Sequence, residues 1–590
     1  MQVYTNHMGY NAVGSKRAVF GGKEGIRAST FRVVDREGNA VFAGTPVEVG
    51  CVANWRTGYY WTMDFTAVET PGQYVVEVDT QEGAVRSLPF EIAGCIRDMR
   101  LINAVAYYFK AQRNTGEWEE ADRHLAFQGE REGVMDVHGG WCDASGDYGI
   151  HMTHLSHTTV GNPQQAAFSA YVFFRIDELL AGDRQYAMLR RRALDEGTYG
   201  ADFIMRMRAP SGSFLRSVQR INSYEPASDN RNIGLEYTLS SGQFTADHAA
   251  PTAESEVVTD ANYETSMRAG GGTCIAALAA AARHPYPGSD FHTDEYLVSA
   301  KKAFAYLMKH NEMYCNDGQW NFIDEFCALL AAAELYKTSG ELPYLLKANA
   351  MAERMFERME DTGDGGIWFT SRPGEPFYHA ADEGLPVVAL LTLAEIDPDN
   401  REHYEAVAQK AMRHVLAITA RVNNPFGYAR YYHRTTEGGT AEKFFFYHES
   451  PAAPWWQGDN ARIASLATAA WMTALHTKDR AFADELNAFA QDQINWILGL
   501  NPFDACMMEG YGRNNIQYSF RGHYEFISCP GGICNGITSR PDDEEGIYFL
   551  TEPTEEINDN WRWAEQWIPH GTWFLYAMAM SRRVKAEQRG

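Results

Sequence analysis

The sequence predicts a mainly α-helical protein in which an (α/α)6 toroid follows a small antiparallel β-sandwich. Residues 1 to about 93 contain short runs of β-branched and aromatic residues separated by turns. From Asp98 onward the apolar residues recur with helical spacing, which predicts roughly a dozen helices. About twelve helices in one domain make six hairpins that close into a toroid, and a solenoid of helix pairs would give the same periodicity.

The predicted sandwich has its clearest strands at residues 17–20, 31–34 and 74–78. Their spacing, with turns between them, is typical of a small antiparallel sandwich. No cluster of catalytic residue types lies in this part, so its predicted role is support or an edge contact with substrate. We therefore predict two domains, residues 1–94 and residues 95–590.

The helices of the second domain are predicted from apolar spacing. They lie at about 99–113, 166–180, 188–208, 262–282, 294–310, 321–338, 342–359, 384–396, 401–419, 460–476, 480–498 and 562–582. Long segments rich in Gly, Pro and Asn separate several of them, at 210–260, 361–383, 420–459 and 499–560. Long loops in a compact domain are usually functional, so we expect them to build a cleft on one face of the toroid.

Composition excludes several classes of protein. The chain has 590 residues, of which 45 % are hydrophobic and 22 % charged, as in globular proteins. Its net charge of −25 and the lack of a basic patch argue against a nucleic-acid partner. No apolar run is long enough to span a membrane, and the N-terminus lacks the features of a secretory signal. Nine dispersed cysteines without CxxC spacing favour a reducing cytoplasm and give no zinc signature.

The segment GGWCDASGDYG, at residues 139–149, carries the clearest chemical signal. Asp143 and Asp147 lie four residues apart in this glycine-rich stretch, and Trp141 and Tyr148 add aromatic rings beside them. A sugar has apolar faces and hydroxyl edges, so aromatic rings next to carboxylates predict a saccharide pocket.

A metal site is the alternative interpretation of this region. Asp143 begins an Asp-x-Ser-x-Asp pattern like that of an EF-hand, but Tyr148 and His154 occupy the positions where that loop needs Gly and Glu. A looser ion site built from oxygen ligands stays open as a structural alternative. His151, His154 and His157 recur every three residues, which is a weak zinc pattern. We predict no metal and no cofactor.

Several segments together resemble glycoside hydrolase family 9, in the subgroup with an N-terminal immunoglobulin-like domain. GWCDASGD at residues 140–147 is similar to the family's GGWxDAGD motif, and NWRWAE at residues 560–565 lies where the family places its acid, just before the last helix. The other similar segments are the opening and end of the small domain and a late loop: NHMGY at 6–10, KRA at 16–18, DFT at 64–66, PGQY at 71–74, LGLNP at 498–502 and GYG at 510–512.

Three departures from the family pattern fall around the expected sugar-binding subsites. Ser145 lengthens the spacing of the two aspartates from three residues to four, QYSFRGH at residues 517–523 replaces a PHHR-like segment, and WAEQWIPH at residues 563–570 replaces the usual NEVAIDYNA. With these changes the chain looks more like the divergent exo-acting branch, which includes bacterial exo-β-D-glucosaminidases, than like a cellulase.

The resemblance implies hydrolysis of a glycosidic bond with inversion, which needs a carboxylic acid and a carboxylate. Glu565 is the predicted general acid, because tryptophans on both sides of it favour the protonated form. Asp147 is the predicted base, and Asp143 is predicted to help hold the water. The alternative for Glu565 is a charge that complements the dipole at a helix N-terminus.

Aromatic and polar side chains of the motif and of the long loops are predicted to bind the sugar. They are Trp141, Tyr148, His154, Trp368, Tyr378, Trp456, Arg521, His523 and Trp561. Acids that open predicted helices, namely Glu264, Asp324 and Glu325, either complement helix dipoles or face the cleft, where they would suit an amino sugar.

The predicted function is therefore an exo-acting inverting glycosidase that removes a non-reducing-end sugar from short β-1,4-linked oligosaccharides. The acidic charge and the departures favour glucosamine from chitin- or chitosan-derived oligosaccharides. The alternative is a β-glucosidase or cellulase-type hydrolase acting on cello-oligosaccharides. A glycoside phosphorylase is less favoured because both Asp143 and Asp147 are retained, and three candidate carboxylates argue against a sugar-binding protein without catalysis.

Overall fold

The computed structural model of this protein describes residues 1–94, 96–145, 149–152, 164–220, 231–234, 262–315, 317–379, 381–445, 456–519, 528–551 and 560–587. Within these residues an antiparallel β-sandwich is followed by a closed ring of helices. The predicted fold class is therefore confirmed.

Two sheets form the N-terminal sandwich. The first sheet has the strand order β1-β3-β7-β6 and the second the order β2-β10-β8-β4-β5, with β9 paired to β8. Neighbouring strands are antiparallel except β2 and β10, which run parallel. The strands are β1 Gln2–Tyr4, β2 Tyr10–Asn11, β3 Arg17–Gly22, β4 Ala28–Asp35, β5 Ala40–Gly44, β6 Val47–Cys51, β7 Tyr59–Asp64, β8 Gly72–Thr80, β9 Gly83–Arg86 and β10 Phe90–Ala93.

Strands β1, β3 and β7 of the first sheet are buried on both faces, whereas most of the edge strand β6 is exposed. Successive side chains of a strand point to opposite faces, and here Phe20 and Trp61 fill the core between the two sheets. Their neighbours Val19 and Tyr60 belong instead to the core of the helical part. The sandwich is thus packed against the toroid through one face of these three strands.

Fourteen α-helices lie in the described part of the second domain, and twelve of them are long. They are α1 Ile96–Gln112, α2 Glu117–Ala121, α3 Ala166–Leu179, α4 Ala187–Arg206, α5 Gly272–Ala281, α6 Thr293–His310, α7 Phe322–Ser339, α8 Leu342–Phe356, α9 Leu385–Ile396, α10 Arg401–Ala420, α11 Asn460–Leu475, α12 Arg480–Ile497, α13 Trp561–Ala564 and α14 Ile568–Glu587.

Six of the long helices form a closed inner ring. Each of α3, α5, α7, α9 and α11 contacts the next, and α14 contacts both α11 and α3, which closes the circle. The helices α1, α4, α6, α8, α10 and α12 pack outside this ring. Every residue of α5 is buried, and its alanines allow the close approach of its neighbours. Closure of the ring distinguishes the toroid from a solenoid.

The structure departs from the predicted helices at two places. The helix predicted at 262–282 begins with a kinked turn, Met267–Gly271, in which Gly270 has a φ of 103°. The helix predicted at 562–582 is divided into α13 and α14. The described part of the chain contains no helix long and apolar enough to cross a membrane.

Short strands also occur between the helices, where most of them pair into hairpins. They are β11 Leu125–Ala126, β12 Val134–Met135, β13 His151–Met152, β14 Ser217–Arg220, β15 Arg231–Gly234, β16 Met359–Asp361, β17 Ile367–Phe369, β18 Tyr431–Arg434, β19 Thr440–Lys443, β20 Thr538–Arg540 and β21 Asp543–Tyr548.

Candidate active site

Glu565 lies in the break between α13 and α14. Pro569 explains the break, because a proline inside a helix lacks an N–H and its ring clashes with the carbonyl four residues earlier, which here is that of Glu565. Glu565 accordingly leaves the helical conformation, with φ −61° and ψ 130°. Its carbonyl oxygen accepts a hydrogen bond from the Asn535 N–H at 2.7 Å. The candidate acid is therefore presented by extended backbone rather than by a helix.

The two predicted catalytic segments pair with each other like short antiparallel strands. Ala144 and Trp567 form an antiparallel bridge. The Ser145 N–H donates to the Gln566 carbonyl at 2.7 Å, and the Gln566 N–H donates to Ser145 Oγ at 2.9 Å. The residue that lengthens the aspartate motif is thus the one that bonds to the backbone next to Glu565.

The backbone of Asp143 is hydrogen-bonded through both its N–H and its carbonyl. Its N–H donates to the Ile150 carbonyl at 2.9 Å, and its carbonyl accepts the N–H of Ile568, the first residue of α14, at 3.1 Å. Asp143 is 4 % exposed. The fold therefore brings Asp143 beside the Glu565 segment, whereas Asp147 lies outside the described residues. The catalytic roles of all three acids stay predictions.

A buried ion pair fixes the C-terminal end of the segment 139–149, which carries the two aspartates. Arg231, in β15, contacts both carboxylate oxygens of Asp122 at 2.6 and 2.7 Å, and its remaining nitrogen donates to the Gly149 carbonyl at 2.6 Å. Asn114 Nδ2 also donates to Asp122 at 2.7 Å. Burial raises the pKa of Asp122, and the Arg231 guanidinium opposes that shift. These bonds fix the backbone at Gly149, two residues after Asp147.

Trp141, which we predicted to bind the sugar, is buried in this structure. The ring is 0 % exposed and packs against Phe109, Phe173 and Tyr199. Its indole N–H donates to Glu196 at 3.2 Å. The ring therefore packs in the core against the helices behind the loop, and sugar binding by Trp141 stays a prediction.

The other predicted aromatic residues are less exposed than expected. Trp368 is 4 % exposed and packs against Phe377 and Tyr432, so it holds its loop together. Tyr378 is also buried. Trp456 is buried edge-to-face against Trp563, whose N–H donates to the Tyr548 carbonyl. Trp561 alone of these four predicted residues is partly exposed, and the Arg562 guanidinium lies 4.6 Å from its ring centre. Sugar binding by Trp368, Tyr378, Trp456 and Trp561 stays a prediction.

Four further predicted binding residues lie outside the described part of the chain. They are Tyr148, His154, Arg521 and His523.

The acids predicted at helix starts do not offer free carboxylates. Asp324 accepts the Asn321 N–H in a capping box and contacts Arg268 at 3.1 Å. Glu325 contacts Arg354 and Arg358, and Glu264 accepts from Ser211 and Arg131. All three acids are buried, so the cap and the ion pairs, rather than the cleft, account for them.

The described residues contain no group of three or more His, Cys, Asp or Glu side chains that could hold a metal ion. His151 lies with its Nδ1 2.8 Å from the Trp141 carbonyl, and burial lowers the pKa of His151 to about 3. His154 and His157 lie outside the described residues, so the expectation of no metal stays a prediction.

Two side chains near Glu565 were missed from the sequence. Asn535 Nδ2 donates to Glu565 Oε2 at 3.3 Å, and His570 Nε2 lies 2.6 Å from Asn535 Oδ1. His570 stands in the WAEQWIPH segment that departs from the family pattern, which was a usable signal. Asn535 lies in the sequence Cys-Asn-Gly, which carries no catalytic signature.

Comparisons with known proteins bear on both parts of the chain. A family model described as glycosyl hydrolase family 9 matches residues 100–530, and a model described as cellulase N-terminal ig-like domain matches residues 1–83. No curated protein sequence matches the chain. The first match ends before Glu565, whose assignment rests on the sequence segment and on the pairing described above.

Several solved structures have the same fold over nearly the whole chain. A family 9 protein from Bacteroides ovatus has a TM-score of 0.65 at 17% identity and covers 99% of both chains. A metagenome-derived family 9 endoglucanase has a TM-score of 0.63 at 16% identity and covers 98% of both. A thermostable endoglucanase mutant from Alicyclobacillus acidocaldarius has a TM-score of 0.61 at 16% identity, covering 98% of this chain and 99% of that one.

Proposed function

Because the chain belongs to glycosyl hydrolase family 9 and is a glycosidase, we propose that it hydrolyses β-1,4-linked oligosaccharides with inversion, using Glu565 as the general acid. The observation that carries this proposal is the backbone pairing of residues 143–145 with residues 566–568. This pairing sets a carboxylate-bearing loop beside the candidate acid. Such an arrangement suits a reaction that needs two carboxyl groups on opposite sides of one bond.

The proposed reaction uses Glu565 and the two aspartates of the motif. Glu565 gives its proton to the glycosidic oxygen as the bond from that oxygen to the anomeric carbon breaks. A water molecule attacks the anomeric carbon from the opposite face, and Asp147 takes the proton that this water loses. Asp143 helps to hold the water. Each turnover consumes one water, and the next one requires the proton to return from Asp147 to Glu565 through solvent.

We further propose that the enzyme acts from the non-reducing end of short oligosaccharides and releases glucosamine. The departures around the subsites and the net charge of −25 support this choice. Glucose from cello-oligosaccharides is the second candidate. It is favoured by the finding that Glu264, Asp324 and Glu325 are already engaged by caps and arginines and so offer no carboxylate to an amine.

One assay tests the reaction and the sugar together. Purified protein is incubated with chitosan oligosaccharides and, separately, with cello-oligosaccharides, and the first product and its anomeric form are identified by NMR. Glucosamine released singly as the inverted anomer is the expected result. Glucose alone selects the second candidate, and internal fragments refute exo action. A requirement for phosphate would identify a phosphorylase instead.

Two variants test the assigned residues. Glu565→Gln removes the acidic proton and Asp147→Asn removes the base, and both change few atoms. We expect each to lower kcat by about 10²–10⁴-fold, the usual contribution of a positioned acid or base, with unchanged thermal unfolding. Near-normal turnover in either variant contradicts its assignment. Binding of oligosaccharide without turnover in the wild type would identify a sugar-binding protein.

The cytoplasm is the proposed location, on the cysteine pattern of the sequence. An enzyme there would meet imported short oligosaccharides rather than insoluble polymer, which fits the choice of short substrates.

A further inference from the structure

Three hydrogen bonds in series end on the carboxyl group of Glu565. The series begins at the backbone N–H of Ala461, in the first turn of α11, which donates to His570 Nδ1 at 2.8 Å. His570 Nε2 lies 2.6 Å from Asn535 Oδ1. Asn535 Nδ2 then donates to Glu565 Oε2 at 3.3 Å. The series joins three segments that are distant in the sequence.

The first bond sets the direction of the other two. A backbone N–H can only donate, so His570 Nδ1 accepts and the neutral ring carries its proton on Nε2. That N–H donates to the oxygen of Asn535, which turns the amide nitrogen toward Glu565. Burial lowers the pKa of His570 to about 3, so the ring stays neutral near physiological pH.

Asn535 is held firmly in this orientation. Its Nδ2 also donates to the Trp561 carbonyl at 2.7 Å, and its backbone N–H donates to the Glu565 carbonyl at 2.7 Å. Asn535 and His570 are both buried. The amide therefore cannot turn over without breaking several buried hydrogen bonds.

We propose that Asn535 and His570 are positioning residues that aim the proton of Glu565 at the glycosidic oxygen. This inference rests on the proposed role of Glu565 as the general acid. With an N–H donor on Oε2, the acidic proton resides on Oε1. Once Glu565 has given up that proton it is a carboxylate, and its hydrogen bond from Asn535 becomes charge-assisted. The contact thus stabilises the transition state more than the ground state.

The first test separates kcat from KM. His570→Leu removes the donor that orients Asn535, and we expect kcat to fall about 10- to 100-fold, the effect of losing one charge-assisted hydrogen bond. KM should stay within about twofold, since His570 is buried and acts through Asn535. His570→Gln supplies an amide N–H close to the position of Nε2 and should recover most of kcat.

The second test uses the pH profile of kcat. Asn535→Asp keeps the shape of the side chain but places a second carboxyl group against Glu565. Two carboxyls that share a site hold a proton to higher pH, so the basic limb of the profile should move up by about one pH unit or more. The charged side chains on described segments near residues 560–570 include Asp143, Arg562 and the Asp459–Arg462 ion pair. They also include Glu509 and the acids of β21, whose Tyr548 carbonyl accepts the Trp563 indole N–H. Asn535→Asp alters none of these side chains.

Asn501→Asp is the matched control for this variant. Asn501 is buried, and its amide donates to the carbonyls of Trp496 and Ala505 at 2.9 and 2.7 Å. Its replacement should lower Tm and leave the basic limb in place.

The outcomes separate this inference from the proposed function. Wild-type kcat in His570→Leu, or an Asn535→Asp profile that coincides with that of the wild type, overturns the positioning role. If His570→Leu does not fold, the Asn535→Asp profile decides alone. Activity retained in Glu565→Gln overturns the general-acid assignment itself, whereas activity lost there with an unshifted Asn535→Asp profile overturns only the positioning role.

Discussion

Ser145→Ala tests whether the extra residue of the aspartate motif aligns the two catalytic segments. Ser145 is fully buried, and its Oγ accepts the Gln566 N–H at 2.9 Å. Alanine leaves this N–H without that acceptor, and an unsatisfied buried polar group costs about 1–3 kcal/mol. The bond from the Ser145 N–H to the Gln566 carbonyl, at 2.7 Å, is kept. The change therefore loosens one of two bonds beside Glu565.

The size of the chain decides which measurement is sensitive. For 590 residues, an unfolding entropy of about 2 cal/mol/K per residue converts 1–3 kcal/mol into a Tm shift of only about 1–3 °C. If the same free energy appears as misplacement of Glu565 in the transition state, kcat falls by about 5- to 150-fold. Steady-state kinetics on the preferred oligosaccharide is thus the sharper assay.

Ser87→Ala provides the matched comparison. Ser87 lies in the sandwich, and its Oγ likewise accepts a backbone N–H, that of Val76, at 2.9 Å. We expect a similar Tm shift and an unchanged kcat. If Ser145→Ala and Ser87→Ala have the same kcat within twofold, the extra serine does not align the site and the reasoning is refuted.

Three further predictions address other parts of the structure. Arg231→Lys loses the bidentate contact to its carboxylate partner and the bond to the Gly149 carbonyl, so kcat should drop at least about tenfold. An unchanged kcat would show that activity does not depend on these bonds to the end of the aspartate segment. Trp141→Phe should lower Tm and leave KM unaltered, because it removes the hydrogen bond from the indole N–H to buried Glu196. A raised KM would indicate that Trp141 contacts the sugar. Burial lowers the pKa of His379 to about 4, below its unfolded value of about 6.5, so protonation favours the unfolded chain as pH falls between these values. His379→Gln should remove up to about 3 kcal/mol of acid-induced destabilisation between pH 6.5 and 4, and an unchanged pH dependence of unfolding would contradict this.

The helices and the sandwich were predictable because both follow from local patterns. Apolar spacing located α3 within a residue of its observed bounds, Ala166–Leu179. The pattern failed where one residue overrides it, as at Pro569, whose ring ends helical geometry at Glu565. That proline was visible in the sequence, and the break could have been predicted from it.

The surroundings of the candidate acids were less predictable because they depend on tertiary contacts. A tryptophan beside two aspartates gives no indication of which side of the backbone its ring takes, and Trp141 takes the core side. Asp324 could be a cap or a cleft acid on sequence alone, and its partner Arg268 lies 56 residues away. The bond between Ser145 and Gln566 spans 421 residues, a separation at which no local pattern operates.

The packing of strands β1, β3 and β7 against the toroid limits how the sandwich can be exchanged between related genes. Tyr4 and Tyr60 both pack edge-to-face on Phe426, and Trp55 packs on Phe444 and Trp496. A recombination that exchanged the sandwich for that of a distant relative would have to bring a matching aromatic set with it.

The late loop imposes a second condition on such an exchange. The ring of His7 lies against Gly499 and Gly512, and a Cβ at Gly499 would come within 2.5 Å of that ring. Both glycines also have positive φ, of 104° and 64°, which other residues rarely adopt. An alanine inherited at position 499 would displace His7 and with it the first loop of the sandwich. The two parts of the gene are therefore expected to descend together rather than to be exchanged as separate modules.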